Sequence, residues 1–247
     1  MLIVANWKAY VETPAKAKAL LASAKRLTLG KGKHEIVLAP SYPHVGVLSA
    51  SRGKAKLAMQ DIPLTESGAH TGEVTASALI GLGTSYAIVG HSERRAAGET
   101  NEVIARKVAY ALARKVTPIL CVGETERDSD ALYLKRIREQ IHAALAPLAG
   151  PDRARAVIAY EPVWAIGKSG DEAITPTDLA EMVAYLHKIL EDFMPGRSGA
   201  RIRILYGGSV DAANARLLAT GTGIDGLLVG RASTDVPTFS SLVKALP

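Results

Sequence analysis

Eight short apolar runs recur along the 247-residue chain, and each is followed by a turn with glycine, serine or asparagine and then by a helical pattern. Most of the runs are continuous rather than alternating, which is typical of strands covered on both faces, as in parallel sheets. The pattern predicts an α/β protein with strands over residues 2–5, 35–39, 55–59, 86–89, 117–122, 156–160, 203–206 and 226–229.

The segments between these runs carry helix signals. Apolar residues at helical spacing predict helices over 14–29 and 132–148. Thr100 is a candidate cap for a helix to about residue 113, and Thr175 opens one to about residue 192. Asp211 is expected to cap a short helix, and the helix after the third strand is the least defined.

Eight strand–helix units in 247 residues leave about 31 residues per unit, which suits a closed (β/α)8 barrel. A doubly wound open sheet is the rival, and it usually carries a glycine-rich turn after its first strand. Here Asn6-Trp7-Lys8 follows that strand, which disfavours the rival. Length alone permits two domains. Because no Pro/Gly/Ser-rich linker divides the chain, we expect a single domain over residues 1–247.

Charge and cysteine content narrow the function classes. The formal net charge is +6, but the basic residues are spread out and not interleaved with aromatics, so nucleic-acid binding is disfavoured. The basic residues are interpreted as a solvated surface, and attraction of anionic substrates is the functional alternative. Cys121 is the one cysteine and is expected to be an inert core residue. We expect no signal peptide, no membrane span and a cytoplasmic protein.

Three ionisable residues follow predicted strands: Lys8, His91 and Glu161. Each alone is ordinary, since such a lysine is usually a surface cation and a lone histidine is usually structural. In a barrel the strand ends converge on one rim, where a cation, an imidazole and a carboxylate together indicate proton transfer beside a carbonyl. The spacing of His, Cys and Asp does not suit zinc, so no metal is expected.

Two glycine-containing turns follow the last two predicted strands, Gly207-Gly208-Ser209 and Gly230-Arg231-Ala232-Ser233. Turns at these positions commonly hold phosphate in barrels through backbone N–H groups. Each alone fits an ordinary tight turn, but both together on a basic rim favour a phosphate site. The loop that begins after Glu161 is a candidate cover for a substrate.

Five segments in order carry a family resemblance that covers essentially the whole chain. The chain resembles the triosephosphate isomerase family at Val4-Ala5-Asn6-Trp7-Lys8, Gly90-His91-Ser92-Glu93-Arg94-Arg95, Ile119-Leu120-Cys121-Val122-Gly123-Glu124-Thr125, Tyr160-Glu161-Pro162-Val163-Trp164-Ala165-Ile166-Gly167 and Tyr206-Gly207-Gly208-Ser209-Val210.

The resemblance implies interconversion of dihydroxyacetone phosphate and D-glyceraldehyde 3-phosphate through an enediolate, without a cofactor. Glu161 is then the base and neutral His91 the electrophile, a pairing for which this family is itself a well-known example. Lys8 supplies positive charge and Asn6 a donor to the oxyanion. The implied supporting residues are Glu93, Ser92 and Tyr206.

The resemblance also implies a phosphate site and a mobile lid. The phosphate is expected on backbone N–H groups of Gly167, Ser209, Gly230 and Arg231. The lid comprises Pro162, Val163, Trp164, Ala165, Ile166, Lys168, Ser169 and Gly170, and Tyr206 and Ser209 are expected to hold it when closed.

A long loop after the third strand docks into a neighbouring subunit in this family. Long irregular loops are otherwise uncommon in compact domains and are usually functional. We therefore expect a homodimer, although an ordinary surface loop is the alternative. The expected interface residues are Thr71, Gly72, Glu73 and Arg94.

Two departures from the family pattern leave alternatives open. The lid is about two residues longer than is common, counted to Pro176. Arg231 stands where the family has a second glycine, and its side chain is either solvated or an extra anion contact. The alternatives are isomerisation of a four-carbon sugar phosphate and, less favoured, a non-catalytic phosphate-binding scaffold.

Overall fold

The protein is a closed barrel of eight parallel strands in the order of the chain, in a computed structural model that describes residues 1–29, 34–168, 173–193 and 202–247. β1 pairs with β8 and thereby closes the barrel, which confirms the predicted (β/α)8 architecture. The strands are β1 (Leu2–Asn6), β2 (Glu35–Ala39), β3 (Lys56–Met59), β4 (Thr84–Val89), β5 (Thr117–Val122), β6 (Val157–Tyr160), β7 (Arg203–Tyr206) and β8 (Gly226–Val229).

Helices cover the outside of the barrel. Within the described ranges, none of them is long and apolar enough to cross a membrane. They are α1 (Pro14–Leu29), α2 (Tyr42–Ser49), α3 (Ala76–Gly81), α4 (Ser92–Ala96), α5 (Asn101–Ala113), α6 (Leu132–Leu145), α7 (Gly150–Arg153), α8 (Pro176–Phe193), α9 (Ala215–Ala219) and α10 (Val236–Ala245), with 3-10 turns at Val163–Ala165 and Arg231–Thr234.

The continuous apolar runs reflect burial on both faces of the barrel wall. Leu2 and Val4 belong to a cluster inside the barrel, whereas Ile3 and Ala5 belong to the larger cluster between the strands and the helices. Successive side chains of a strand point to opposite faces, so alternate residues fill the two layers. Cys121 lies fully buried in the inner cluster, and burial raises the pKa of its thiol well above the usual value.

Helix starts with side-chain caps agree with the sequence prediction. Thr100 accepts a hydrogen bond from Val103 N at 3.4 Å at the start of α5, and Thr175 accepts one from Asp178 N at 3.1 Å at the start of α8. The predicted helix to residue 148 was too long, since α6 ends at Leu145. The sequence reading did not single out α2, α4, α7 and α10.

A polar cluster closes the barrel at the amino-terminal end of its strands. The Glu35 carboxylate accepts hydrogen bonds from Lys56 Nζ at 2.8 Å, Tyr86 Oη at 2.6 Å and Arg203 Nη1 at 3.1 Å. Burial by itself raises the pKa of Glu35, but these donors outweigh it and lower this pKa to about 2. This end of a barrel usually serves stability rather than chemistry.

We expect Glu35→Gln to reduce the free energy of unfolding at pH 7 by about 1–2 kcal/mol, since charged hydrogen bonds are lost at a partly exposed site. Glu35 has a lowered folded-state pKa, so its contribution is full above the ordinary value of 4.5 and is lost as pH falls towards about 2. Urea unfolding at pH 7 and pH 3 checks this. Glu139→Gln is the control, because Glu139 makes only a 3.9 Å surface pair with Lys135.

Candidate active site

The four candidate catalytic residues meet at the carboxyl-terminal edge of the barrel. Asn6 ends β1, Lys8 follows it, His91 follows β4, and Glu161 follows β6. Asn6, His91 and Glu161 are 4%, 5% and 3% exposed, although all three are polar or ionisable. Buried polar groups require partners, so the contacts among them define the site.

One hydrogen-bond donor and one close ring nitrogen lie against the Glu161 carboxylate. Its Oε2 accepts a hydrogen bond from the backbone N–H of Ser92 at 3.0 Å, and its Oε1 lies 3.2 Å from His91 Nε2. The backbone N–H of Glu161 donates to Val122 O at 2.8 Å, which fixes the start of the loop. Ser92 therefore supports the carboxylate through its backbone.

The hydrogen bonds of His91 define its tautomer. Nδ1 accepts from the backbone N–H of Glu93 at 3.2 Å, and this bond caps α4. The Glu93 carboxylate lies 3.8 Å from Nδ1, beyond hydrogen-bond reach, so the backbone N–H is the partner. A nitrogen that accepts carries no proton, so a neutral ring carries its proton on Nε2. His91 thus presents a donor towards the Glu161 carboxylate.

Lys8 adopts an unusual backbone conformation with φ of +47°. Such a conformation costs a non-glycine residue about 1–2 kcal/mol and is found most often at functional sites. It is secured by Asn6 Oδ1, which accepts from Lys8 N at 3.1 Å, and by Gln60 Nε2, which donates to Lys8 O at 2.9 Å. The Lys8 ammonium pairs with Glu93 Oε1 at 2.7 Å.

Two glycines give Glu161 its space. A side chain at Gly123, after β5, would overlap the carbonyl oxygen of Glu161. A Cβ at Gly207, after β7, would lie 2.9 Å from Glu161 Cγ. The assignment of Gly207 to a phosphate turn stays a prediction, whereas the structure shows that its missing side chain leaves room for the Glu161 carboxylate.

The first part of the candidate lid is fastened to the turn after β7. Ser209 Oγ accepts from Gly167 N at 2.7 Å and donates to Ala165 O at 3.1 Å. Trp164 Nε1 donates to Glu124 Oε1 at 2.8 Å. The predicted lid residues Ser169 and Gly170 lie outside the described residues.

Among the residues that the structure describes, the Tyr206 hydroxyl makes no hydrogen bond to the lid. Its Oη is buried without a hydrogen-bond partner there, and burial raises the pKa of this phenol. A side chain at Gly208 would overlap the Tyr206 hydroxyl, so the backbone packs directly on it. A role of Tyr206 in holding the closed lid remains a prediction.

One cavity of about 780 Å³ collects the candidate groups. A volume in this range is typical of small-molecule sites. Its lining includes all four candidate catalytic residues and all four residues expected to bind phosphate: Asn6, Lys8, His91, Glu161, Gly167, Ser209, Gly230 and Arg231. The arrangement places a carboxylate, an N–H donor and a cation around one space.

A second cavity of about 690 Å³ shares Asn6, Lys8 and His91 with the first. Gly72 and Glu73 line it, whereas Thr71 is exposed and does not. Arg94 also lines it and pairs with Glu99 at 2.5 Å and with Asp61 at 3.3 Å.

The family model of triosephosphate isomerase matches residues 1–246. The chain belongs to the triosephosphate isomerase family. Family membership makes it an enzyme, an aldose–ketose isomerase. Three relatives named triosephosphate isomerase illustrate the similarity. The Roseiflexus castenholzii protein is 39% identical over 99% of this chain and 97% of its own length, that of Thermus thermophilus 39% over 99% and 98%, and that of Moorella thermoacetica 37% over 98% and 97%.

Several residues of this triosephosphate isomerase site escaped the sequence reading. Gln60, which holds the Lys8 carbonyl, directly follows β3, and Glu124, which holds Trp164, follows β5 by one residue. The rule that polar residues after strands face one rim could have found both. Within the described ranges, no group of three or more His, Cys, Asp or Glu residues is arranged to hold a metal ion.

Proposed function

We propose that this member of the family interconverts dihydroxyacetone phosphate and D-glyceraldehyde 3-phosphate, with Glu161 as the base and neutral His91 as the electrophile. The observation that carries the assignment is the 3.2 Å separation of Glu161 Oε1 and His91 Nε2 on the cavity that Lys8 also lines. A base and a donor this close can act on adjacent atoms of one small substrate.

In the proposed reaction Glu161 takes a proton from the carbon beside the carbonyl. The electron pair of that C–H bond forms the carbon–carbon double bond, and the carbonyl π electrons move to the oxygen. His91 Nε2–H donates to this oxygen, and the Lys8 ammonium offsets its negative charge. Glu161 then returns the proton to the former carbonyl carbon, while His91 transfers a proton from the hydroxyl oxygen of the neighbouring carbon to the former carbonyl oxygen. All electron pairs stay within the substrate, so no external oxidant or reductant is required.

The substrate phosphate binds, in this proposal, to backbone N–H groups of Gly167, Ser209, Gly230 and Arg231. All four residues line the cavity, and glycines allow close approach to an anion. Since Gly167 N–H is engaged by Ser209 Oγ at 2.7 Å, binding requires this contact to rearrange.

A coupled assay with the two triose phosphates tests the proposed substrate. We expect kcat/KM for the trioses to exceed that for a four-carbon ketose phosphate by at least about tenfold, since surplus substrate atoms are poorly accommodated once the lid closes. The four-carbon alternative is favoured by Arg231, whose exposed guanidinium has no hydrogen bond or ion pair to another described residue. A preference for the four-carbon substrate would replace the proposal with that alternative.

We further propose that the chain forms a homodimer through the 60–75 loop, with Thr71, Gly72, Glu73 and Arg94 at the interface. The cavity between this loop and Lys8 supports the proposal. It has a volume of about 690 Å³ and offers a concave surface beside Lys8 into which a second chain could fit. Sedimentation equilibrium is expected to give the mass of two chains at micromolar concentration. The mass of one chain would contradict the proposal.

The remaining expectations accompany this proposal: one domain over residues 1–247, a cytoplasmic location, no cofactor and no nucleic-acid partner. The reaction described above supports the expectation of no cofactor, since it only moves one proton between two carbons and one between two oxygens of the same substrate.

A further inference from the structure

Gln140 lies on α6, outside the barrel wall, and its side chain binds the main chain just beyond the end of β5. Its Oε1 accepts a hydrogen bond from Gly123 N, and its Nε2 donates one to Gly123 O, both at 2.9 Å. One side-chain amide thus satisfies both main-chain polar groups of a single residue. Gln140 lines neither of the two cavities described above, so its side chain acts on the site only through other residues.

Gly123 requires this partner because β5 extends beyond its neighbour β4. The last paired residues of these two strands are Val89 and Leu120. Gly123 follows the end of β5, past the last residue that β4 pairs, and Gln140 supplies the hydrogen bonds that a neighbouring strand would otherwise supply. Main-chain N–H and C=O groups that lose such partners in a partly buried position are unfavourable. The loss of the Gln140 amide would therefore displace Gly123.

Gly123 in turn packs against the main chain of Glu161. A Cβ at Gly123 would lie 1.8 Å from the Glu161 carbonyl oxygen, so the glycine backbone contacts this residue directly. The residues on both sides of Gly123 bind the same segment, since Val122 O accepts from Glu161 N at 2.8 Å and Glu124 O accepts from Val163 N at 2.9 Å. Gly123 is therefore the middle one of three residues that hold the main chain around Glu161.

The position of this main chain determines where the Glu161 carboxylate lies. The carboxylate has little freedom to adjust by rotation, because Ser92 N donates to its Oε2 at 3.0 Å and His91 Nε2 lies 3.2 Å from its Oε1. On the opposite flank, a Cβ at Gly207 would lie 2.9 Å from Glu161 Cγ. A displaced main chain thus displaces the carboxylate, and a misplacement of about 1 Å costs a reacting group about 10²-fold in rate.

We propose that Gln140 is a positioning residue for the base: by binding both main-chain groups of Gly123, it keeps Glu161 where its carboxylate reaches the substrate carbon. The proposal rests on the proposed function, in which Glu161 is the base. It gives Gln140 no contact with substrate or with the reacting atoms.

The first test compares the kinetics of Gln140→Met with those of the control Glu139→Met. Met matches Gln in length and in helix propensity, but it cannot replace the two hydrogen bonds to Gly123. Glu139 is the exposed neighbour of Gln140 on α6 and makes a 3.9 Å surface pair with Lys135. We expect Gln140→Met to lower kcat about tenfold while KM stays within about twofold, because a displaced base affects the chemical step. Glu139→Met is expected to keep wild-type kinetics.

A double-mutant cycle separates positioning of the base from a general loss of stability. In the Glu161→Gln background there is no base to position, so Gln140→Met should lower the residual kcat less than about twofold. An equal, tenfold fall in both backgrounds would show that Gln140 acts independently of Glu161 and would overturn the proposal. Wild-type kcat in folded Gln140→Met, with or without a lower melting temperature, would also overturn it.

Amide hydrogen exchange of the Glu161 N–H tests the same contact without turnover. This N–H donates to Val122 O, directly before Gly123, so a displaced Gly123 weakens its protection. We expect it to exchange at least about threefold faster in Gln140→Met than in the wild type, whereas N–H groups of α1 exchange at wild-type rates. Unchanged exchange at Glu161 would overturn the proposal even if the isomerase assay shows no turnover, so the two proposals fail separately.

Gln140→Glu is the second variant, in case Gln140→Met does not fold. Its carboxylate can accept from Gly123 N but cannot donate to Gly123 O, so one of the two hydrogen bonds is kept. We therefore expect a smaller fall in kcat, of about threefold, with KM again within about twofold. A wild-type kcat in this variant, or a change in KM alone, would overturn the proposal.

Discussion

Glu161→Gln is expected to lower kcat by about 10²–10⁴-fold, the usual contribution of a positioned general base. Gln keeps the size of the side chain, and its amide oxygen can still accept from Ser92 N, which Glu161 Oε2 does at 3.0 Å. Gln does not accept a proton at neutral pH, so the chemical step loses its base. The effect should fall on kcat rather than on KM, because the phosphate contacts are unchanged.

The matched control for this variant is Glu126→Gln, which makes the same chemical change at an exposed glutamate paired with Arg136. Steady-state kinetics in both reaction directions, with circular dichroism to verify folding, measure the difference. Glu126→Gln should keep wild-type kinetics. A Glu161→Gln enzyme within tenfold of wild type would remove Glu161 from the role of base.

His91→Asn is expected to lower kcat by about 10²–10³-fold, the usual effect of losing one donor to a developing oxyanion. The oxygen of Asn can take the place of Nδ1 and accept the Glu93 N–H bond of 3.2 Å, so the cap of α4 is kept. The N–H group at the position of Nε2 is lost. The variant therefore removes the proposed electrophile and keeps the hydrogen bond that caps α4.

His91→Gln is the complementary variant. Its amide nitrogen can reach the position of Nε2, while the cap is lost, so it should keep more activity than His91→Asn but lower the free energy of unfolding by about 0.5–2 kcal/mol. Steady-state kinetics and urea unfolding of both variants check whether His91→Gln is the more active and the less stable of the two. His91→Asn with a kcat within threefold of wild type would show that Nε2 is not the electrophile.

The barrel was predictable because its signal is repeated eight times. Seven of the eight strands have the predicted starts and ends or differ by one terminal residue, as in β2 (Glu35–Ala39) and β1 (Leu2–Asn6), and burial on both faces explains their continuous apolar character. Helix starts with a threonine cap were equally visible, as at Thr100 and Thr175.

The missed helices lack these signals. α4 is capped by the His91 ring rather than by a small polar side chain, and α2 follows Ser41 without a side-chain cap bond. α6 was predicted from its periodicity and not from its cap: it begins after Ala131 at φ of +56°, and the Asp128 carboxylate accepts from its first N–H groups, four and five residues away. Such caps depend on the folded loop and not on neighbouring residue types.

The candidate site was also predictable only in part: its main ionisable residues were predicted, whereas the contacts that support them were not. Strand ends predicted that Lys8, His91 and Glu161 share one rim, since topology alone brings these positions together. The contacts that support these residues were not predictable from local sequence patterns, because they join residues far apart in the chain. Examples are the hydrogen bond from Gln60 to the Lys8 carbonyl and the close approach of Gly123 to the Glu161 carbonyl.

Hydrogen exchange with solvent tests most directly whether Glu161 transfers a proton between neighbouring carbons of one bound triose phosphate. Proton NMR of the wild-type reaction in D₂O is predicted to show deuterium on the carbon next to the carbonyl in part of the product, because the abstracted proton rests on a carboxylate before it is returned. Glu161→Gln should form neither product nor deuterated substrate on the same timescale. Turnover with complete retention of the original hydrogen, or a wild-type enzyme that converts no triose phosphate, would contradict the account.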